Sequence, residues 1–213
     1  MTTMVNNIEG YFDIDAYCDW VSSLCNAGYK PFLLTFMFRP IRFSPKKKKD
    51  IMEDAIAHFY SRVVTRFTRN PNRTAELDQR PILIAAADLP VHKTAKITLR
   101  DASVNGGLHF HGMFLRPPVS RFRGSFKAYV RDNQEALIAE TSMARIHVEV
   151  VRYTPEYATQ YALKSLGRGL IKGGEVMVLP DNVRKWNPTN RGYDEAARSY
   201  SGASVLFPGR RPL

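Results

Sequence analysis

Hydrophobic residues recur at two different spacings along this chain, and the spacing predicts which segments are helices. Helical spacing predicts two amphipathic helices, one over residues 13–26 and a longer one over 46–67. A third helix is predicted within 121–140. A fourth is predicted to run from 155 to about 166, because Thr154 stands at the N-cap position and a proline follows at the first helical position.

Strand-forming segments lie between these helices. They are apolar or alternating runs rich in β-branched and aromatic residues, and Gly or Pro bounds most of them. The predicted strands are 31–38, 81–87, a short one at 96–99, 107–115, 145–151 and a hairpin strand at 175–179.

The order of these elements predicts an α+β fold. In such a fold, we expect helices on one face of a central, mostly antiparallel β-sheet of about five strands. One domain is expected over residues 1–180, with the N-terminal helix at 13–27 included. A basic arm containing glycine and proline is expected to follow at 181–213.

Charge narrows the class of partner. The 213 residues include 31 Lys and Arg against 20 Asp and Glu, which gives a formal net charge of +11. A basic field of this size favours polyanions such as nucleic acids, although a solvated basic surface would have the same composition. The chain lacks a signal-peptide pattern and a bilayer-length apolar segment, and its two cysteines suit packing rather than a disulfide. We therefore expect a cytoplasmic protein with no membrane partner.

The triplet His109-Phe110-His111 is the first candidate site. Successive side chains of a strand point to opposite faces, so both imidazoles are predicted on one face and Phe110 on the other. Two neutral imidazoles held side by side are half of a divalent-metal site. The triplet alone is compatible with two histidines that meet on a strand by chance.

A second cluster lies on the predicted helix that begins at residue 155. Tyr157, Tyr161 and Lys164 are spaced i, i+4 and i+7, which places both hydroxyls and the ammonium on one stripe. A nearby ammonium or metal ion favours the phenolate and can offset charge that builds on a phosphate. The alternative is that both tyrosines are core residues of an amphipathic helix and Lys164 is an ordinary surface charge.

Together, the two clusters resemble the HUH endonuclease superfamily, and most closely its rolling-circle replication initiators. The run Phe32–Phe38 looks like the first motif of these initiators, His109-Phe110-His111 matches the second, and Tyr161-Ala-Leu-Lys164 matches the YxxK pattern of the third. Tyr157 fits the two-tyrosine variant of that motif. The resemblance covers residues 31–167, and it implies a nicking domain built on an HUH/RRM-like palm.

The resemblance also implies a mechanism. Two histidines and a third ligand would hold Mg²⁺ or Mn²⁺, which polarises one phosphate of single-stranded DNA. Tyr161 would attack that phosphate, leaving a 5′-phosphotyrosine and a free 3′-OH, and Tyr157 would either take a second transfer or serve in packing. Lys164 is expected to position the phosphate or the nucleophile. Asp88 is the first choice for the third ligand, with Asp101 and His92 as alternatives.

The same resemblance implies partners. The substrate would be single-stranded DNA at the origin or end of a plasmid, phage or mobile element in a prokaryotic host. A host helicase is expected as well, because the chain carries no phosphate-binding motor motif. Basic side chains that are candidates for DNA contact, or for a merely solubilising surface, are Lys46, Lys47, Lys48, Lys49, Arg168 and Lys172.

Two kinds of alternative function stay open at the level of sequence. Within the same enzyme class, the chain is compatible with a transposase or a mobilisation relaxase. From a different class, a non-catalytic module could bind single-stranded nucleic acid by stacking bases on aromatic residues of the sheet, such as Phe36, Phe38 and Phe110.

Overall fold

The predicted strand and helix segments form one α+β arrangement in the computed structural model, which describes residues 2–71, 79–89 and 104–180, with side chains from residue 14 onward. The helices are α1 (Thr2–Asn26), α2 (Pro45–Phe67), α3 (Phe126–Asp132), α4 (Gln134–Ile138), α5 (Pro155–Ala162) and α6 (Lys164–Gly167). The strands are β1 (Lys30–Phe38), β2 (Ile82–Asp88), β3 (His109–Arg116), β4 (Met143–Val150) and β5 (Met177–Leu179).

The five strands make a single sheet in the order β4-β1-β3-β2-β5, and every neighbouring pair is antiparallel. This confirms the predicted α+β class and the five-stranded sheet. Because β1 and β2 both end where β3 and β4 begin, four strand ends meet at one edge of the sheet. Asp88 and His109 lie opposite each other at that edge.

Helices cover both faces of the sheet, so the expectation of helices on one face is wrong. On one face, α2 and α3 pack over a core that includes Phe36, Phe110 and Phe114. On the other face, α1, α5 and α6 pack over a second core that includes Ile84 and Met113. The reason lies in the inner strands: β2 is buried along its whole length, which requires an apolar cover on each side.

Three helix predictions need correction. The first helix begins at Thr2 rather than at residue 13, and the segment 121–140 forms two short helices that meet at Asn133. The last predicted helix is interrupted at Leu163, where a tight hydrogen bond runs from the Leu166 N–H to the Leu163 carbonyl oxygen. Thr154 does occupy the N-cap of α5, but with a left-handed φ of 50° and without a side-chain cap hydrogen bond.

Some predictions fall outside the described residues. The short strand at 96–99, the arm at 181–213, and the alternative ligands His92 and Asp101 all belong to this group. Within the described ranges, no helix combines the length and the apolar character needed to cross a membrane.

The aromatic core beneath α2 gives the first prediction. Phe114 is fully buried and stacks on Phe126 with ring centroids 4.1 Å apart. We expect Phe114→Ala to lower the free energy of unfolding by about 3–5 kcal/mol, because it removes buried apolar surface and leaves a cavity. Urea denaturation measures this change. Tyr153→Ala is the control, since Tyr153 is 83% exposed and its removal should cost less than about 0.5 kcal/mol; equal losses in the two variants would contradict the assigned core.

Candidate metal centre and adjoining tyrosine

Strand register brings three potential metal ligands together at the edge where β2 ends and β3 begins. Asp88 pairs directly with His109, so their side chains leave the same face of the sheet, and His111 follows two residues later on that face. Phe110 points to the opposite face, where it is fully buried in the aromatic core. The two imidazoles therefore share one face, and Asp88 joins them there.

The three side chains have the geometry of a metal-binding triad. The Nε2 atoms of His109 and His111 lie 3.1 Å apart, and Asp88 Oδ2 lies 3.1 Å from the first and 3.5 Å from the second. Ligand atoms that bind one ion at right angles with bonds of about 2.1 Å would lie about 3.0 Å apart. The group can therefore hold a metal ion on one triangular face of its coordination sphere.

Hydrogen bonds behind the triad fix its orientation. His109 Nδ1 lies 2.9 Å from the Gly107 carbonyl oxygen, and His111 Nδ1 lies 3.1 Å from Thr35 Oγ1. Ser165 Oγ lies 3.4 Å from Asp88 Oδ1 and also accepts a hydrogen bond from the Leu89 N–H. Because partners occupy the Nδ1 atoms, both Nε2 atoms are directed at the space they share with Asp88, which is the usual support of a metal-binding histidine.

Lys164 and Tyr161 complete the cluster. Lys164 Nζ lies 2.6 Å from Asp88 Oδ2 and 4.5 Å from the centre of the Tyr161 ring. The Tyr161 ring in turn lies 5.0 Å from the His111 ring, centroid to centroid. The side chain of Tyr161 is 42% exposed, so a tyrosine that is open to solvent adjoins the buried triad.

Charge and burial set the protonation of the triad. Burial alone would raise the pKa of Asp88, but hydrogen bonds with both histidines and with Lys164 lower it far below its usual range. Burial lowers the pKa of His111, and the hydrogen bond with Asp88 offsets only part of that effect. For His109, burial also acts to lower the pKa, yet the bonds with Asp88 and the Gly107 carbonyl oxygen raise it overall. Asp88 is thus a carboxylate, the form that binds metal.

The two tyrosines of α5 differ in their surroundings. Tyr161 contacts both His111 and Lys164, whereas Tyr157 lies one turn earlier and is 69% exposed. His147 is an exposed side chain of β4 and lies 2.7 Å from Glu149. The geometry therefore associates one tyrosine directly with the triad.

The six basic side chains proposed for DNA contact do not join the triad. Lys46–Lys49 lie in the first turns of α2, on the other face of the sheet, and Lys49 pairs with Glu175 at 2.6 Å. Arg168 follows the end of α6 and is exposed, as is Lys172. Their part in binding DNA stays a prediction.

The aromatic residues that a non-catalytic binding module would use to stack bases are buried. Phe36 and Phe110 are fully buried and Phe38 is 4% exposed, so none of them offers a ring to a base. Their expected exposure is therefore wrong, and the reason is that α2 covers this face of the sheet.

Sequence reasoning missed two residues of the site, Thr35 and Ser165. Thr35 lies in the run that resembles the first initiator motif, and its register position opposite His111 is the signal that would identify it. Ser165 directly follows Lys164, but a helix taken as continuous gives no indication that its hydroxyl reaches Asp88.

Thr35 gives a second prediction. Thr35→Val keeps the shape of the side chain but removes the hydroxyl beside His111 Nδ1, so we expect the affinity for Mn²⁺ to fall roughly 10–100-fold. Isothermal titration calorimetry measures it. Thr35→Ser retains the hydroxyl and should restore most of the affinity, whereas equal losses in both variants would contradict a role for the hydrogen bond.

Comparisons with protein-family models, with curated proteins and with solved structures each find no match.

Proposed function

We propose that this protein is a metal-dependent endonuclease and strand transferase that nicks single-stranded DNA through Tyr161. The observation that carries the proposal is the cluster itself. A carboxylate and two imidazoles form a metal-sized triangle, and a half-exposed tyrosine adjoins it with a lysine ammonium over its ring. This combination suits attack on a phosphodiester better than it suits a structural metal site, because a structural site does not need an accessible nucleophile.

The donor set supports Mg²⁺ or Mn²⁺. Asp88 offers a carboxylate oxygen, which both ions favour, while His109 and His111 favour the softer Mn²⁺. A bound ion would supply Lewis-acid stabilisation of the charge that develops on the scissile phosphate.

The chain's own residues account for the bond changes. The Tyr161 oxygen forms a bond to phosphorus as the bond from phosphorus to the 3′ oxygen breaks, which yields a 5′-phosphotyrosine and a free 3′-OH. The phenolic proton is lost to solvent and the 3′ oxygen gains one. The Lys164 ammonium lies 4.5 Å from the centre of the Tyr161 ring, where it would offset negative charge that builds on a phosphate bound at this tyrosine. Reversal by an incoming 3′-OH rejoins the strand.

Tyr157 is the candidate for a second transfer. It lies one turn from Tyr161 on the same helix and is open to solvent, so a DNA strand could reach it. In rolling-circle replication, such a second attack would release the finished strand and close the circle.

The proposed setting is the replication of a plasmid, phage or other mobile element in a prokaryotic cytoplasm. A helicase of the host would unwind the DNA beyond the nick. A transposase or a mobilisation relaxase would use the same chemistry. The burial of Phe36, Phe38 and Phe110 weighs against a non-catalytic stacking module.

Formation of a covalent adduct tests the proposal. The purified protein is incubated with a pool of single-stranded oligonucleotides in Mn²⁺, and adducts that resist denaturing detergent are sought by electrophoresis. The expected result is a protein–DNA adduct that forms with Mn²⁺ and is absent with EDTA. Failure to form any adduct across an origin-rich pool would contradict the proposal.

A further inference from the structure

A second feature of the molecule is a groove on the face of the sheet away from the metal centre. This groove has a volume of about 490 Å³ and runs between α2 and the pair α3–α4. Its lining includes Arg62, Arg66, Arg121, Tyr129 and Asn133. Three of these side chains are arginines and none is acidic, so the groove has a positive charge.

The three arginines are not equivalent. Arg62 is tied down, because its Nη1 donates to the carbonyl oxygens of Ala136 and Ala139 and its Nη2 lies 3.6 Å from Glu140. Arg66 and Arg121 are exposed, and neither pairs with a carboxylate within the part of the chain that the structure describes. Two guanidinium groups of this groove therefore remain available to an external anion.

The ring of Tyr129 supports one of these two arginines, Arg66. The guanidinium carbon of Arg66 lies 5.8 Å from the centre of the Tyr129 ring, and Tyr129 packs edge-on against Phe122 at 5.5 Å between centroids. Stacking on a fixed ring limits the freedom of the guanidinium before any ligand binds. The planar guanidinium is well matched to phosphate oxygens.

The groove lies on the opposite face of the sheet from the triad. Phe67, at the end of α2, contacts Phe114 near the far end of β3, whereas His109 begins that strand. Phe114 lies five residues beyond His109 on β3, which corresponds to about 17 Å along the strand. At about 3.4 Å per nucleotide step along a helical strand, that distance corresponds to roughly five nucleotides.

We propose that this groove is a second DNA-binding site, which holds phosphates of the DNA backbone outside the segment that reaches the metal centre. The choice of DNA as the polymer rests on the proposed function, while the site itself rests on two guanidinium groups that pair with no carboxylate among the described residues. Binding in this groove would not depend on base sequence, because its arginines would contact phosphates. Phosphate contacts position the polymer, whereas base contacts specify its sequence. The site would anchor DNA on the protein while the strand at Tyr161 is cut and rejoined.

The salt dependence of DNA binding tests this site without any cleavage. Binding of a labelled single-stranded oligonucleotide of about 30 nucleotides is measured in EDTA at several salt concentrations, and this length exceeds the roughly 4–16 nucleotides that a single-strand-binding fold typically covers. For Arg66→Ala combined with Arg121→Ala, we expect the magnitude of the slope of log K against log salt to fall by about 1.4, which is roughly 0.7 for each phosphate contact removed from a single strand.

Helix α3 offers a matched control. Lys127 and Arg131 lie on the side of α3 away from the groove, where they pair with Glu149 and Asp132. Replacing both by alanine removes the same charge and should leave the slope nearly unchanged. An unchanged slope in the groove variant, or an equal fall in the control, would overturn the second site. Because EDTA prevents metal-dependent nicking, either result is independent of the adduct assay for the proposed function.

Discussion

Replacing Tyr161 by phenylalanine is expected to abolish the covalent protein–DNA adduct. The variant keeps the ring that packs near His111 and Lys164 but lacks the oxygen that would bond to phosphorus. Removal of a nucleophile costs on the order of 10⁶ in rate, which puts the adduct below detection. The measurement is the yield of adduct on an oligonucleotide that the wild-type protein cleaves in Mn²⁺.

Tyr157→Phe is the matched control for this experiment. It removes the same atom from the same helix one turn earlier, where the side chain is 69% exposed and away from the imidazole pair. The first cleavage should proceed at a nearly unchanged rate, and only the second transfer should be lost if both tyrosines act. Loss of the first adduct in Tyr157→Phe, with retention in Tyr161→Phe, would reverse the assignment.

Replacing His111 by alanine is expected to remove the stabilisation that Mn²⁺ gives to the folded protein. An ion at one hundred times its dissociation constant stabilises a folded protein by about 2.7 kcal/mol. For a domain of this size, 1 kcal/mol corresponds to roughly 2–4 °C, so the melting temperature of the wild-type protein should rise by about 5–10 °C. The rise should disappear in His111→Ala, because this variant keeps only two of the three ligands of the triad.

His147→Ala controls for the loss of any surface histidine. His147 is an exposed residue of β4 and pairs with Glu149 rather than with the triad. Its replacement should leave the full rise in melting temperature with Mn²⁺. Differential scanning fluorimetry with and without the ion measures both variants, and a rise that persists in His111→Ala would contradict the triad as the metal site.

Strand periodicity made the central part of the site predictable. The two-residue spacing of His109 and His111 fixes their common face, and the position of Asp88 at the end of an apolar run predicts that it lies at the sheet edge. The pairing of Asp88 with His109 agrees with that expectation. Their roles as ligands, and the role of Tyr161 as nucleophile, stay predictions.

The parts that sequence did not predict depend on long-range packing. Helical spacing alone predicts one continuous stripe from Tyr157 to Lys164, whereas the chain interrupts the helix at the buried Leu163. Lys164 and Ser165 directly follow this interruption, and both side chains contact Asp88. The second covered face of the sheet was missed although the continuous apolar run of β2 indicates it, because a strand with one solvated face would alternate between apolar and polar residues.

The most direct test of the central claim is to identify the residue that becomes linked to DNA. The protein is incubated with a cleavable single-stranded oligonucleotide in Mn²⁺, digested with protease and nuclease, and mapped by mass spectrometry. The account predicts a nucleotide phosphate on the peptide that contains Tyr161. Attachment to a residue outside α5, or DNA cleavage with no linked peptide, would contradict it.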